Sequence, residues 1–453
     1  MFDRVVEQIV NFSLGKIVLR DGVLNEVKRR VLDSFGCYLG AWNEEALVSA
    51  RKAALKYAVT NQGSTLWLSG EKATPDWASF ANAVGVRALD FNDTYLSKEP
   101  LHPSDMIPAI IAAAETSGAD GRAVAEAIAV GYEVGCRLCD AVTLRKKGWD
   151  HVNFTMVAAA AGVGRVMGLD AEKLGNALSL AVVPHAAMRQ TRAGELSMWK
   201  GAAAANACRN AVFACMLAEN GMTGPSQPFE GEMGFFKQVS GEAFSLETLP
   251  KVREPDMIVK TYIKYHPVEY HAMTAVDAAL KVLEKAGSAQ NISRVRVDTF
   301  EASYTILAKD REKWRPRTRE TADHSLPYIV AVTLLDGGVW LDSFSADRVK
   351  KDDIASFIDR IEVVEDAALT ARYPEELPNK ITAWLKDGRQ VSEEVAIPRG
   401  HYKNPMTDQE VEAKFNRLAS GLLSEQQRKE VVNIVWNLER LGSVSELVEV
   451  FVR

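Results

Sequence analysis

The chain has 453 residues, of which 47% are hydrophobic and 25% charged, and it carries a formal net charge of −6. That length predicts two or three domains, and that composition is an ordered globular protein's, which excludes a mainly disordered chain. The acidic balance excludes a broad nucleic-acid surface, which needs a basic footprint, but a few cations gathered in one pocket can still attract a small anion.

The start, Met1-Phe2-Asp3-Arg4-Val5-Val6-Glu7, is amphipathic and charged, unlike a secretory leader. No apolar run approaches the ~18 residues of a membrane span. Five cysteines (Cys37, Cys136, Cys139, Cys208 and Cys215) are odd in number and sparse, so a disulfide framework is not expected and a reducing cytoplasm is.

In chain order, Leu24 to Leu39 sets Val27, Val31, Leu32, Phe35 and Leu39 at helical spacing. Asp76 to Asp90, Asp120 to Val142, Thr155 to Met167, Ala171 to Val183 and Met198 to Asn220 continue the helical pattern. Asn153 and Asp170 stand where N-caps are expected, and Gly168 and Gly221 at C-terminal stops. The runs Ala158–Ala161 and Ala202–Ala205 are small and apolar all round, which predicts helices buried among helices. After about Ala286 the character changes. Arg294 to Phe300 alternates with period two, and Arg360 to Asp366 is a second candidate strand. Lys380–Leu385 and Gln390–Ile397 flank Asp387-Gly388, a hairpin signal. Helical stretches at Ser325–Leu335 and Asp352–Phe357 lie between. Thr407-Asp408-Gln409-Glu410 is a capping box, and another helical run goes from Ser424 to about Leu441.

These elements predict a mainly α protein with an inserted α+β domain. The large helical domain takes residues 1–268 and 402–453, and the smaller α+β lid takes 269–401. The tail is expected to pack back on the first helices, with the cleft between the two parts as the natural ligand site.

Four segments carry ionisable groups. Asp90-Phe91-Asn92-Asp93-Thr94, followed by His102-Pro103-Ser104-Asp105, brings acids, hydroxyls and an imidazole toward a helix start, where unpaired N–H groups favour a carboxylate. The plainer account is that Asp90 and Asp93 cap a helix and His102 is a loop residue. Lys260 to His271 packs two lysines, two histidines, Glu269 and three tyrosines into twelve residues; it also reads as a solvated connector before a helix near Thr274. Arg189 to Gly201 joins two helices, and Trp199 beside Lys200 hints at burial in an otherwise polar loop. Arg315-Pro316-Arg317-Thr318-Arg319 precedes His324 and Tyr328, which share a helix face if Ser325 caps it. Cys136-Arg137-Leu138-Cys139 reads as core packing. Phosphate-loop, dinucleotide, nucleophile-elbow and metal-ligand spacings are missing from the sequence.

Together these motifs resemble the MmgE/PrpD family. Asp90–Thr94 with His102–Asp105, Gly194–Asn206, Pro267–Asp277 and Pro398–Thr407 stand in the family's order over nearly the whole length. The resemblance implies a helical domain with an α+β lid, a homodimer and no metal or other cofactor. It further implies activity on a citrate-like polycarboxylate: 2-methylcitrate dehydration in propionate catabolism, cis-aconitate decarboxylation or iminodisuccinate epimerisation. In the decarboxylase branch, active-site positions match Asp90, Thr94, His102, Lys264 and Tyr328. A histidine of that branch falls near Glu269 here, and the Pro-x-Glu-aromatic-His arrangement is closer to the dehydratases.

The expected chemistry removes a proton beside a carboxylate and expels water, so a base, cationic stabilisers and an acid are required. His102 is the expected proton-transfer group, oriented by Asp90 or Asp93. Lys264, His271 and Lys200 are expected to bind carboxylates, and Thr94 and Tyr328 to hold a hydroxyl or carboxylate. Ser104, Glu269 and His324 complete the expected substrate contacts. Decarboxylation or epimerisation on the same scaffold, and a catalytically inactive ligand-binding scaffold, are the rival expectations.

Overall fold

The structure, a computed structural model, describes residues 1–59, 62–194 and 196–452; Glu195 of the resembled segment lies outside the described residues. The first half forms helices α1 (Arg4–Ser13), α2 (Asp21–Gly40), α3 (Glu45–Ala54), α4 (Pro75–Ala88), α5 (Ile107–Ser117), α6 (Gly121–Ala141), α7 (Val152–Val166), α8 (Ala171–Val182) and α9 (Trp199–Glu219), with a small pair β1 (Ser64–Thr65) and β2 (Lys72–Ala73). Then come α10 (Met273–Ala286), β3 (Ile292–Thr299), α11 (Glu301–Leu307), α12 (Arg319–Ala322), α13 (Leu326–Asp336), α14 (Ala346–Val349), α15 (Asp352–Ile358), β4 (Ile361–Glu365), α16 (Ala367–Thr370), β5 (Asn379–Leu385) and β6 (Gln390–Val395). The chain ends with α17 (Asp408–Ala419), α18 (Glu425–Trp436) and α19 (Ser445–Glu449).

These elements gather into two compact units. The first comprises Met1–Arg192, Met198–Tyr262 and Thr407–Arg453. Its centre is α9, which lies along α4, α7 and α8, while α6 lies along α7. Ala158–Ala161 and Ala202–Ala205 are buried throughout, so these helices meet with little side chain between them. The caps follow from local chemistry. Asp120 and Asp170 accept the backbone N–H groups of Ala123 and Lys173. Asn153 does not cap. It stands inside α7, behind His151 at the N-cap, and its amide instead donates to the carbonyls of Asp150 and Ala187. The C-terminal residues join this unit: α17 and α18 pack on α2, and the Gly121 N–H donates to the Leu441 carbonyl at 3.0 Å. The last helical run breaks after Trp436 and resumes as a single 3-10 turn at Leu438–Arg440. Lys414 of α17 places its ammonium 2.6 Å from the buried Asp33 carboxylate of α2.

The second unit comprises Ala193–Ser197 and Ile263–Met406. Its sheet runs β4-β3-β5-β6, with β3 parallel to β4 and antiparallel to β5, and β5 antiparallel to β6. Val295 and Val297 of β3 are buried, as the period-two pattern requires. α10 packs on β5, β6 and α13. Gly388 turns the β5–β6 hairpin at φ +91°. Among the described residues no helix is long and apolar enough to cross a membrane.

Candidate active site

In the first unit, α4 ends at Ala88 and the chain reverses through Asp90, which is held at φ +50°. A non-glycine residue in the left-handed region costs on the order of 1 kcal/mol, so the surroundings must hold it there. They do: one Asp90 oxygen takes a close ion pair from Arg87 on the last turn of α4, and the other lies 3.4 Å from the Lys200 ammonium on α9. All three side chains are buried. Lys200 thus lies inside while its neighbour Trp199 is 47% exposed, the reverse of the expectation that Trp199 marks burial. Arg87 is a site residue that sequence reasoning missed; its position three residues before Asp90 in a helix was the available signal.

Asp93 is fully committed. Its Oδ1 accepts the Ser104 N–H at 2.9 Å, its Oδ2 accepts the Tyr132 hydroxyl at 2.7 Å, and Arg30 stands 3.4 Å away. Its main-chain carbonyl lies 2.8 Å from His102 Nδ1. A carbonyl can only accept, so Nδ1 carries the proton and Nε2 is the ring's basic nitrogen. Asp93 therefore orients His102 through its backbone, and its carboxylate fixes the turn that follows. Thr94 exchanges backbone hydrogen bonds with Tyr262, and its hydroxyl donates to the Leu101 carbonyl at 3.1 Å. The Ser104 hydroxyl accepts from the Asn92 amide at 2.8 Å. His102 directly precedes the 3-10 turn Pro103–Met106, which leads into α5.

The fold adds a second imidazole. His151, at the start of α7, has its ring centre 5.5 Å from that of His102. Its Nδ1 lies 3.1 Å from Asp150, which Arg192 also engages at 3.0 Å. Burial, assisted by Arg192, pulls the His151 pKa down to about 3, so the ring is neutral. Burial opposes ionisation of Asp150, but Arg192 and His151 outweigh it and hold its carboxyl below the ordinary range. The adjacent acid–imidazole pair Asp150-His151 was the signal in the sequence. Asp105 accepts from Asn92 at 2.8 Å and lies 3.9 Å from Arg87; burial pushes its pKa up to about 7.

In the second unit, Lys264 is buried. Glu269 accepts the His271 N–H at 2.7 Å through one oxygen and lies 2.8 Å from His271 Nδ1 through the other. Burial would raise its pKa, but His271, His324 and Lys264 pull it down to about 2. Both Glu269 oxygens are thus spent on His271, so Glu269 is a holder of that imidazole. His271 Nε2 lies 3.4 Å from the Tyr373 hydroxyl, and Tyr373 stacks on Phe300. Ser325 caps α13, which leaves His324 outside the helix, paired with Asp323 at 2.5 Å rather than sharing a helix face with Tyr328. The Tyr328 hydroxyl donates to the Ser343 carbonyl at 2.5 Å.

Two grouped sets result: Asp90, Asp93, Thr94, His102, Ser104 and Lys200 in one unit, and Lys264, Glu269, His271 and His324 in the other. Residues 14–247 match the MmgE/PrpD N-terminal domain and residues 266–439 the MmgE/PrpD C-terminal domain. The chain belongs to the MmgE/PrpD family. Among curated relatives it is similar to the 2-methylcitrate dehydratase of Cupriavidus necator, with 31% identity covering 88% of this chain and 86% of that protein. The 2-methylcitrate dehydratase of Escherichia coli (strain K12) is 30% identical over the same shares. The cis-aconitate decarboxylase of Homo sapiens is 26% identical over 95% of this chain and 90% of its own length.

Proposed function

We propose that this MmgE/PrpD protein is a hydro-lyase that dehydrates a small citrate-like tricarboxylate such as 2-methylcitrate. The observation that carries the chemistry is the hydrogen bond from His102 Nδ1 to the Asp93 carbonyl, which makes Nε2 the nitrogen that exchanges a proton. In this reading His102 Nε2 takes the proton from the carbon beside a carboxylate. The electron pair forms the new C=C bond, the C–O bond to the hydroxyl breaks, and the departing hydroxide takes up the proton that His102 accepted and leaves as water, which returns the imidazole to its starting state. Lys200, with Arg87 beside the same Asp90, supplies buried cations for the charge that builds on the carboxylate. Lys264 and His271 of the second unit are proposed as carboxylate binders, with the two Glu269 oxygens holding the His271 backbone and ring. Thr94 and Ser104 offer hydroxyls, and Tyr328, bonded to Ser343, acts through the backbone it supports. No metal enters the scheme.

The test is direct. Purified protein given 2-methylcitrate is expected to produce a conjugated double bond, followed by ultraviolet absorbance; no change with this or related tricarboxylates defeats the proposal. Decarboxylation is the second reading, favoured by the long match to the human cis-aconitate decarboxylase, and CO2 released from cis-aconitate would establish it. A homodimer in the cytoplasm, serving propionate catabolism, is the proposed setting. The exposed large apolar side chains of the first unit, among them Met188, Trp199, Phe213 and Met222, are the kind of surface that a subunit contact covers, and sedimentation at the monomer mass would contradict a dimer.

A further inference from the structure

The motif Pro398-Arg399-Gly400-His401-Tyr402-Lys403-Asn404-Pro405 has no part in the chemistry above, yet it is built with unusual closeness. The loop closes on itself. The Gly400 N–H donates to the Asn404 carbonyl at 2.9 Å, the Asn404 N–H to the His401 carbonyl at 2.8 Å, and the His401 N–H to the Pro398 carbonyl at 3.2 Å. Arg399 donates to the Asn404 side chain at 2.8 Å. The Lys403 N–H donates to His401 Nδ1 at 3.1 Å, which requires a neutral acceptor there; burial, with Lys403, lowers the His401 pKa to about 4 and supplies it.

This closed loop presses on one point of the same unit. A Cβ on Gly400 would lie 1.9 Å from the Ile263 carbonyl oxygen and 3.1 Å from its carbon. Both atoms are backbone, so no side-chain rotation relieves the overlap. Ile263 is the residue before Lys264, and both are buried. Gly388 supplies the comparison inside the same unit: it has the same φ of +91°, but a Cβ there would meet nothing within 4 Å. The two glycines separate backbone strain from close approach.

We propose that Gly400 is a positioning residue for Lys264: the 398–406 loop is the stop against which the Ile263–Lys264 peptide rests, and this sets where the ammonium meets a substrate carboxylate. The inference rests on the reading of Lys264 as a carboxylate binder. A methyl at Gly400 must move the Ile263 carbonyl oxygen from 1.9 Å to at least 3.4 Å, a shift of about 1.5 Å, to restore ordinary contact, and a misplacement of about 1 Å can already cost on the order of 100-fold at a site.

The experiment uses propane-1,2,3-tricarboxylate, which lacks the hydroxyl to be eliminated, and measures its Kd by calorimetry on the full-length protein. Gly400→Ala is expected to raise Kd at least tenfold, and Gly388→Ala to leave it within twofold. In a Lys264→Met background, Gly400→Ala is expected to add less than twofold, because its effect passes through the missing ammonium. Equal losses with and without Lys264, or wild-type binding by folded Gly400→Ala protein, overturn the inference. Should Gly400→Ala fail to fold, Asn404→Ala removes only the side-chain tie to Arg399. It is then expected to weaken binding about threefold when Lys264 is present and not in the Lys264→Met background, and a loss in both overturns the inference. Wild-type protein that binds no tricarboxylate overturns the reading of Lys264 itself and this inference with it, whereas wild-type binding retained by Gly400→Ala removes the inference alone.

Discussion

Glu269→Gln is the substitution whose cost follows most directly from the structure. The Glu269 carboxylate sits between the His271 N–H and the His271 ring, and its pKa falls from an ordinary 4.5 to about 2. At about 1.4 kcal/mol for each tenfold change in ionisation, that fall is worth about 3 kcal/mol of stability. The sign is fixed by its direction. A depressed carboxyl stabilises the fold above its unfolded pKa and stops doing so as pH drops through the folded value. The contribution is therefore whole above pH 4.5, roughly halved at pH 3 and gone below pH 2. Glu269→Gln should lower unfolding free energy by about 3 kcal/mol at pH 7 in a urea titration, and by about half that at pH 3. A loss that stays the same at both pH values, or no loss at pH 7, would refute the depressed, ionised Glu269 carboxylate.

His102→Ala should keep the fold by circular dichroism and lose at least ~100-fold in turnover, the scale of a lost general base; near wild-type turnover removes His102 from the mechanism. Asp105→Asn addresses a carboxyl raised from 3.8 to about 7 by burial, a shift worth about 4 kcal/mol. A raised acid favours the fold at low pH, and that advantage drains away as pH climbs from 4 to 7. The variant should flatten the stability profile over that window, and an unaltered slope would show that Asp105 is ionised throughout. Dehydratase activity should survive prolonged EDTA and dialysis; a loss restored by a divalent ion would mean that a metal is required.

The helices were legible where one residue decides a local event. Asp170 offers a carboxylate to an orphan N–H, and Thr407 with Glu410 closes a reciprocal box, so α8 and α17 begin where their sequences predict. Asp387-Gly388 likewise fixes its hairpin. Asn153 misled because an amide can serve distant carbonyls as readily as its own helix, and only the approach of Ala187 decides which. At the candidate site, chemical type was readable and partnership was not. Asp90 and Asp93 look alike in sequence. One faces Arg87 and Lys200, while the other is consumed by Ser104, Tyr132 and Arg30, partners contributed by separate helices and turns. His151 escaped notice because its relation to His102 depends on how α7 meets the turn before α5, which no local pattern encodes.

The pairing of Asp33 with Lys414 has a bearing on biosynthesis. A ribosome delivers α2 early and α17 only after the whole of residues 263–406 has emerged. Until then the nascent first unit carries an acid without its nearest cation, in a place where water will be excluded. The sheet-bearing unit, continuous but for a five-residue segment, can close while its neighbour waits, so a stalled or truncated transcript that stops short of Lys414 should release a chain in which the later-made unit is finished and the earlier-made one is not.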